Sequence, residues 1–264
     1  MGRSWDYYNE IAHLYDSQYE EPYWKLYHVI TEKLIEKVIK KHNLPSFLRV
    51  LDLGAGTGYW MEYFTARGDR VTCLEPSTNM IDIIQIKAEA LEQEISVIQG
   101  ICEKIPTKAD QFDLVNAQGD VFSYAVDSEE SMREAYRVLK PGGWLIGSVD
   151  NIYAFLNDTI SVADFKTFHQ IEQESKSQIG NNEISQLTFE THLFKPETLN
   201  DNLKKTGFET IEIAGKIVFG PYEETALIEE MDTIAEIEEK YSTINELIGK
   251  AEHLHFAAKK PLYK

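Results

Sequence analysis

The sequence predicts an α/β fold, doubly wound around a mostly parallel sheet, and three observations carry that expectation. From Arg49 onward, short continuous apolar runs alternate with helical periodicity, the pattern of strands covered by helices on both faces. The first apolar run, Val50-Leu51-Asp52-Leu53, passes directly into a glycine-rich turn, Gly54-Ala55-Gly56-Thr57-Gly58, and then into a helix. The second run ends on an acid, Glu75, about 20 residues past that turn, where this architecture presents a side chain to a bound ligand.

The elements follow in order. Residues 5–20 space Tyr8, Ile11, Ala12, Tyr15 and Tyr19 as a helix, and Pro22 opens a second helix carrying Leu26, Ile30, Leu34 and Val38. Strands are expected at 49–53, 70–75, 95–99, 112–118 and 143–150, with helices after Thr57, after Ser77 and at 128–139. Asp127 with Glu130 fits a capping box for the last of these, and Lys140-Pro141-Gly142-Gly143 reads as its stop and turn. After Asp150 the alternation breaks. Residues 151–180 read as irregular helix, 184–194 as a strand, 196–205 as a short helix and 208–213 as a strand. A long amphipathic helix is expected over 222–249, and a final strand over 252–259. The chain is expected to form a single domain, 1–264, in four parts. These are a helical cap, 1–44; a core, 45–150; an insertion, 151–195, over the carboxyl ends of the strands; and the rest of the sheet with its acidic helix, 196–264.

Composition excludes several function classes. The 264 residues carry 44 acids against 26 Lys and Arg, a formal charge of −18, and 43% are hydrophobic, enough for a full core. Such a surface repels a phosphate backbone, so neither nucleic acid nor an anionic membrane is an expected partner. Eight of the acids lie in 221–239 without a Lys or Arg, where they are expected to line a solvated helix face. No apolar stretch suits a leader or a membrane span, which with two cysteines, Cys73 and Cys102, reads as a soluble cytoplasmic protein with reduced thiols.

The glycine turn brings backbone close to a ligand with no Cβ in the way, and its N–H groups are expected to face that ligand. Glu75 suits the hydroxyls of a ribose, so turn and acid together indicate an adenosine cofactor. Spacing chooses among them. Tyr59 stands where the dinucleotide fingerprint needs its third glycine, and Gly58 comes one residue early. Asp52, two residues before the turn, would repel a pyrophosphate but suits a cationic amino-acid group, which favours S-adenosylmethionine over NAD.

The segments VLDLGAGTGYW, CLEPSTNM, GICEKIP, FDLVNAQGDVFSY and VLKPGGWLIGSV, in this order and spacing, resemble the successive motifs of the class I S-adenosylmethionine-dependent methyltransferases. Within them the chain is similar to the small-molecule branch that includes the ubiquinone- and menaquinone-biosynthesis-related enzymes. YYNEIAHLYDSQY resembles the short helix with which that branch covers its cofactor. The resemblance implies a Rossmann-like sheet and methyl transfer to a small-molecule acceptor, with S-adenosylhomocysteine as product. It implies that Gly54, Ala55 and Gly56 meet the methionine part, Glu75 the ribose, and Pro76 and Met80 the adenine. Ile101 stands where the family often has an acid, so the Cys102 N–H would bind the ring, with Glu103 as substitute. Gln118 and Gly119 would hold the ammonium, and Tyr15 would close the site.

No catalytic base stands out. Asp120 follows the Gln118-Gly119 turn as a turn acid or a weak base. Tyr124, Tyr153 and Phe155 follow the fourth and fifth strands, where they shape an acceptor pocket or pack plainly. His192, like His169, reads as structural before catalytic, and no metal is expected because no cluster has ligand spacing. A non-catalytic S-adenosylmethionine-binding module and an NAD-dependent oxidoreductase are the alternative readings.

Overall fold

The computed structural model describes residues 2–91 and 95–262, so the outermost residues of the expected 1–264 domain lie outside it. Two helices lead, α1 (Ser4–Gln18) and α2 (Pro22–Lys41). The alternating part follows as β1 (Arg49–Leu53), α3 (Tyr59–Ala66), β2 (Arg70–Glu75), α4 (Thr78–Ala90), β3 (Ser96–Gln99) and β4 (Phe112–Ala117). Then come α5 (Val121–Tyr124), α6 (Ser128–Val138) and β5 (Leu139–Asp150). The insertion holds α7 (Ile152–Ser161), α8 (Phe165–Glu174), β6 (Lys176–Ile179) and β7 (Phe189–His192). The chain closes with α9 (Pro196–Thr206), β8 (Glu209–Lys216), α10 (Glu224–Glu229), α11 (Met231–Tyr241), α12 (Asn245–Ile248) and β9 (His253–Lys259).

The main sheet has seven strands in the order β3-β2-β1-β4-β5-β9-β8. The first five run parallel and β9 is antiparallel to both its neighbours. Side chains of β1 alternate between two cores. Leu51 and Leu53 join Phe122, Met132 and Leu203 on one face, and Val50 joins Ile35, Trp60 and Phe64 on the other. The strand order reverses between β1 and β4, which opens a crevice at their carboxyl ends, the place where open α/β sheets bind ligands.

Local chemistry explains the starts and stops. Pro22 takes the first turn of α2, where its missing N–H costs no bond. Asp127 caps α6 by accepting from the Glu130 N–H at 2.9 Å. Four expectations need correction. Lys140-Pro141-Gly142-Gly143 does not separate helix from strand, because β5 begins at Leu139 and absorbs the turn as an irregularity in its pairing with β4. The strand expected over 184–194 shrinks to β7, paired with β6, because Ile184 and Ser185 fold back in a turn on Asn181 O. The helix expected over 222–249 is three pieces, broken at Glu230 (φ −126°, ψ 22°) and again before Asn245, and Leu227 of α10 and Ala235 of α11 both pack with α2. Glu238 is not on a solvated face. It is fully buried, and its carboxylate accepts from the N–H groups of Val218 (2.7 Å) and Phe219 (2.9 Å) and from the Tyr222 hydroxyl, which fixes the loop after β8.

Cys73 and Cys102 are both free thiols. Among the described residues no helix is long and apolar enough to cross a membrane.

Candidate active site

The turn after β1 is held by the end of β2. The N–H groups of Gly54 and Ala55 donate to Leu74 O at 2.8 and 3.1 Å, and that of Gly56 donates to Glu75 Oε2 at 2.9 Å. Contrary to the sequence-based expectation, these amides do not face a ligand: the adjacent strand end supplies acceptors first. The turn still needs its glycines. Gly54 has φ +68°, and a Cβ there would stand 2.7 Å from Val121 Cγ2.

The turn opens onto a cavity lined by Gly54, Gly56, Glu75, Pro76, Met80, Ile101, Cys102, Glu103, Gln118 and Gly119, with Tyr8, Tyr15 and Tyr124 across from them. Glu75 is 5% exposed, and its second oxygen accepts from the Ser77 N–H at 2.9 Å. Burial pushes its carboxyl up to about 7 against the pull of these two N–H bonds. Glu103 is partly committed, because Oε1 accepts from the Val126 N–H at 2.7 Å. Gln118 Nε2 lies 3.3 Å from His255 Nε2, while its Oε1 is buried and has no partner among the described residues. Ala55 lines a smaller adjoining cavity with Tyr15, Gln118 and Gly119. Asp52 lines none of these. It shares the Val50 face of β1, beneath α3, where Oδ1 accepts from Asn116 Nδ2 at 2.9 Å and burial raises the carboxyl to about 7.

Helix α1 roofs this cavity. The Asn9 side-chain oxygen accepts from Ser77 Oγ (2.9 Å), Thr78 Oγ1 (3.1 Å) and Asn79 N (3.0 Å), docking the helix on the start of α4. Asp16 accepts from Thr57 Oγ1 at 2.6 Å and pairs with Lys87 at 2.8 Å. Tyr15 is bonded through its hydroxyl to Tyr19, and burial raises its phenol to about 12, so it stays neutral.

A second, larger cavity of about 750 Å³ adjoins the first and shares Tyr8, Tyr15, Gly119 and Tyr124 with it. Aromatic rings dominate its walls, including Tyr7, Tyr19, Trp24, Tyr27, Tyr153 and Phe155. Asp120, Asp150, Glu252 and His253 also line it. Tyr124, Tyr153, Phe155 and Asp120 therefore come together here. His192 does not: it sits half-buried on β7, and burial, with Lys176 nearby, lowers its imidazole below the usual range. Asp120, Asp150 and His253 offer ligand atoms all within 4.8 Å of one another, a spacing that three distant positions in the chain conceal.

Sequence reasoning did not find Asp150, His253, Lys216 or Asn9. His253 and Lys216 stand opposite each other on β9 and β8, and Asp150 stands opposite His253 from β5. The one signal was a lysine within an otherwise apolar stretch, Ile213-Ala214-Gly215-Lys216-Ile217-Val218.

The first cavity suits S-adenosylmethionine. It joins a buried carboxylate, an apolar slot between Pro76, Met80 and Ile101, and an unpaired amide oxygen on Gln118 that fits an ammonium donor. Comparisons with known proteins agree. The methyltransferase domain family matches residues 51–147. An uncharacterized methyltransferase of Bacillus cereus is 30% identical over 179 residues, 65% of this chain and 79% of that one. A glycine/sarcosine/dimethylglycine N-methyltransferase of Actinopolyspora halophila is 36% identical over 116 residues, 43% of this chain but only 20% of its own length. A solved structure from Thermotoga maritima, an S-adenosylmethionine-dependent methyltransferase described as a possible histamine N-methyltransferase, shares the fold. It has a TM-score of 0.58 at 20% identity, over 97% of this chain and 99% of that one. The parallel sheet, its antiparallel β9 and these relatives place the chain in the class I S-adenosylmethionine-dependent methyltransferases.

Proposed function

We propose that this enzyme methylates the nitrogen of a small amine held in the second cavity. The observation that carries the reading is the cavity itself: tyrosine and tryptophan rings with buried carboxylates, continuous with the cofactor cavity through Tyr8, Tyr15, Gly119 and Tyr124. Aromatic faces attract cations and methylated ammonium groups. The name of the Actinopolyspora protein, a glycine/sarcosine/dimethylglycine N-methyltransferase, supports it. A hydroquinone acceptor, as the quinone-related resemblance implies, has less use for the carboxylates.

In this reading Glu75 takes the ribose hydroxyls, Pro76, Met80 and Ile101 enclose the adenine, and Gln118 with the Gly119 carbonyl holds the ammonium. Bound S-adenosylmethionine supplies an electrophilic methyl group on a sulfonium. The chain's task is then to orient and to exclude water. Tyr8, Tyr15 and Tyr124 confine the acceptor beside the cofactor cavity, and α1 closes over both. Orientation of this kind contributes up to about 7–11 kcal/mol of a barrier.

The test is a mass-spectrometric panel of aliphatic amines, amino acids, imidazole-bearing amines, hydroquinones and carboxylic acids. The expected result is methylated amine. Methylation of hydroquinones and of no amine would refute the acceptor class. Tight S-adenosylhomocysteine binding with no product from any acceptor would favour a non-catalytic module.

A further inference from the structure

At the floor of the second cavity four titratable side chains from four strand ends meet. His253 Nδ1 stands 3.0 Å from Asp120 Oδ2 and 3.5 Å from Asp150 Oδ1. Thr191 Oγ1 donates to Asp150 Oδ2 at 2.7 Å, and the Tyr27 hydroxyl donates to Asp120 Oδ2 at 3.3 Å. Lys216 is fully buried beside them, its Nζ 3.6 Å from the centre of the Tyr27 ring and without a hydrogen-bond partner among the described residues. Asp120 is 2% exposed, and its Oδ1, buried and unpartnered, belongs to a side chain that lines the cavity. His253 lines the same cavity with its side chain 15% exposed, and its Nδ1, the ring nitrogen nearest the two carboxylates, is buried.

Two carboxylates are balanced by one imidazolium and one ammonium, and when the imidazole is neutral the cluster carries one net negative charge. The cluster has no need of an external cation, unlike an acidic pocket waiting for a metal. From the balanced state the imidazolium can lose a proton, and the neutral ring can then take one back.

We infer that His253, oriented by Asp120 and Asp150, accepts the proton that an amine acceptor must shed, with Lys216 as a positioning residue that tunes the cluster's charge. This rests on the amine reading of the second cavity. An aliphatic amine enters as an ammonium, which has no free lone pair. In the proton transfer one N–H bond of the ammonium breaks and its electron pair stays on nitrogen as the nucleophilic lone pair. The proton bonds to Nε2 of the neutral imidazole, and the resulting imidazolium is held by the two carboxylates. After turnover the proton leaves to water.

The groups facing the ring set its pH dependence. Burial opposes its charge and Lys216 on β8 lowers its proton affinity, whereas Asp120 after β4 and Asp150 on β5 raise it, for a net rise to about 9. Tyr27 on α2, 5.2 Å away ring to ring, has its phenol pushed well above its usual range by burial and stays neutral. Glu252, the preceding residue, is engaged by the Tyr23 hydroxyl at 2.5 Å, and Lys250 lies on the cavity wall. Because the neutral ring is the acceptor, kcat should climb with pH and reach half its plateau near 9.

The experiment uses the full chain, the best amine of the panel, and the variants His253→Asn and Lys216→Met. His253→Asn should lower kcat at least 100-fold with unchanged affinity for S-adenosylhomocysteine, and 0.1 M imidazole should restore part of it. Burial already lowers the Lys216 amine to about 8, so Lys216→Met should alter the pH profile of kcat below about 8 and leave the limb near 9 in place. Ring-proton NMR of His253 reads the same titration without turnover: about 9 in the wild type, at least one unit lower in Asp120→Asn. A kcat within threefold of wild type in His253→Asn, an absence of imidazole rescue, or a ring titrating at about 6.5 or below would overturn the inference. So would tight binding of Mn²⁺ alone that is abolished in Asp120→Asn, which would make the cluster a metal site. If no amine is methylated the acceptor reading fails on the panel, and the ring titration still judges His253.

Discussion

Replacing Glu75 by Gln keeps the size of the side chain and removes its charge. In the native protein the carboxylate accepts two backbone N–H bonds, each 2.9 Å, from Gly56 and Ser77. A glutamine has one acceptor oxygen, so one of these donors meets an amide NH₂ instead. A buried donor left unpaired costs about 1–3 kcal/mol, so stability falls by about that amount. Cofactor binding loses the charge-assisted part of the ribose contacts, about 1.5–3 kcal/mol, which is roughly 10- to 150-fold in Kd. Titration calorimetry with S-adenosylhomocysteine measures this, with urea denaturation confirming that the variant is folded. The wild type adds a pH signature. Since burial raises the Glu75 carboxyl to about 7 and the charged form binds the diol, affinity should rise from pH 6 to 8 and then level, whereas Glu75→Gln should be flat over that range. A folded Glu75→Gln protein with Kd within threefold of wild type, or with the same pH slope, refutes the assignment of Glu75 to the ribose.

Other perturbations test other joints. Asn9→Ala removes three side-chain bonds that dock α1 on α4, and at about 0.5–1 kcal/mol each the release of bound cofactor should quicken roughly 10-fold or more in stopped-flow fluorescence; an unchanged rate removes α1 as a latch. Gly54→Ala sets a Cβ against Val121 at a positive φ, so a loss of about 1–3 kcal/mol in thermal or urea unfolding is expected, and a neutral result contradicts the crowding. Glu238→Ala strips the acceptor from two N–H groups and a hydroxyl around the loop after β8, with an expected loss of about 3 kcal/mol or more; less than 1 kcal/mol in urea denaturation means the loop holds by other means.

What was legible in the sequence was whatever depends on local pattern. The strands β1 to β4 are short apolar runs bounded by turn residues, and their positions follow from that alone. Gly54, Gly56, Glu75, Gln118 and Gly119 line one cavity because each lies at or just after the carboxyl end of a strand, a location that strand pattern alone picks out. Asp52 was misplaced by proximity: two residues before Gly54 is close in the chain, but strand alternation turns it to the face beneath α3. The acceptor side was hidden because β5, β8 and β9 bring Asp150, Lys216 and His253 together through register, which no window of sequence contains. Likewise, an apolar stripe over 222–249 fits one long helix as well as three pieces that bend around α2.

Helix α1 lines both cavities, with Tyr8 and Tyr15 belonging to each. That helix is therefore a wall common to both cavities, and its docking on α4 through Asn9 bears on both at once. A variant that loosens α1, such as Asn9→Ala, should therefore quicken the exchange of molecules held in either cavity, not of the cofactor alone.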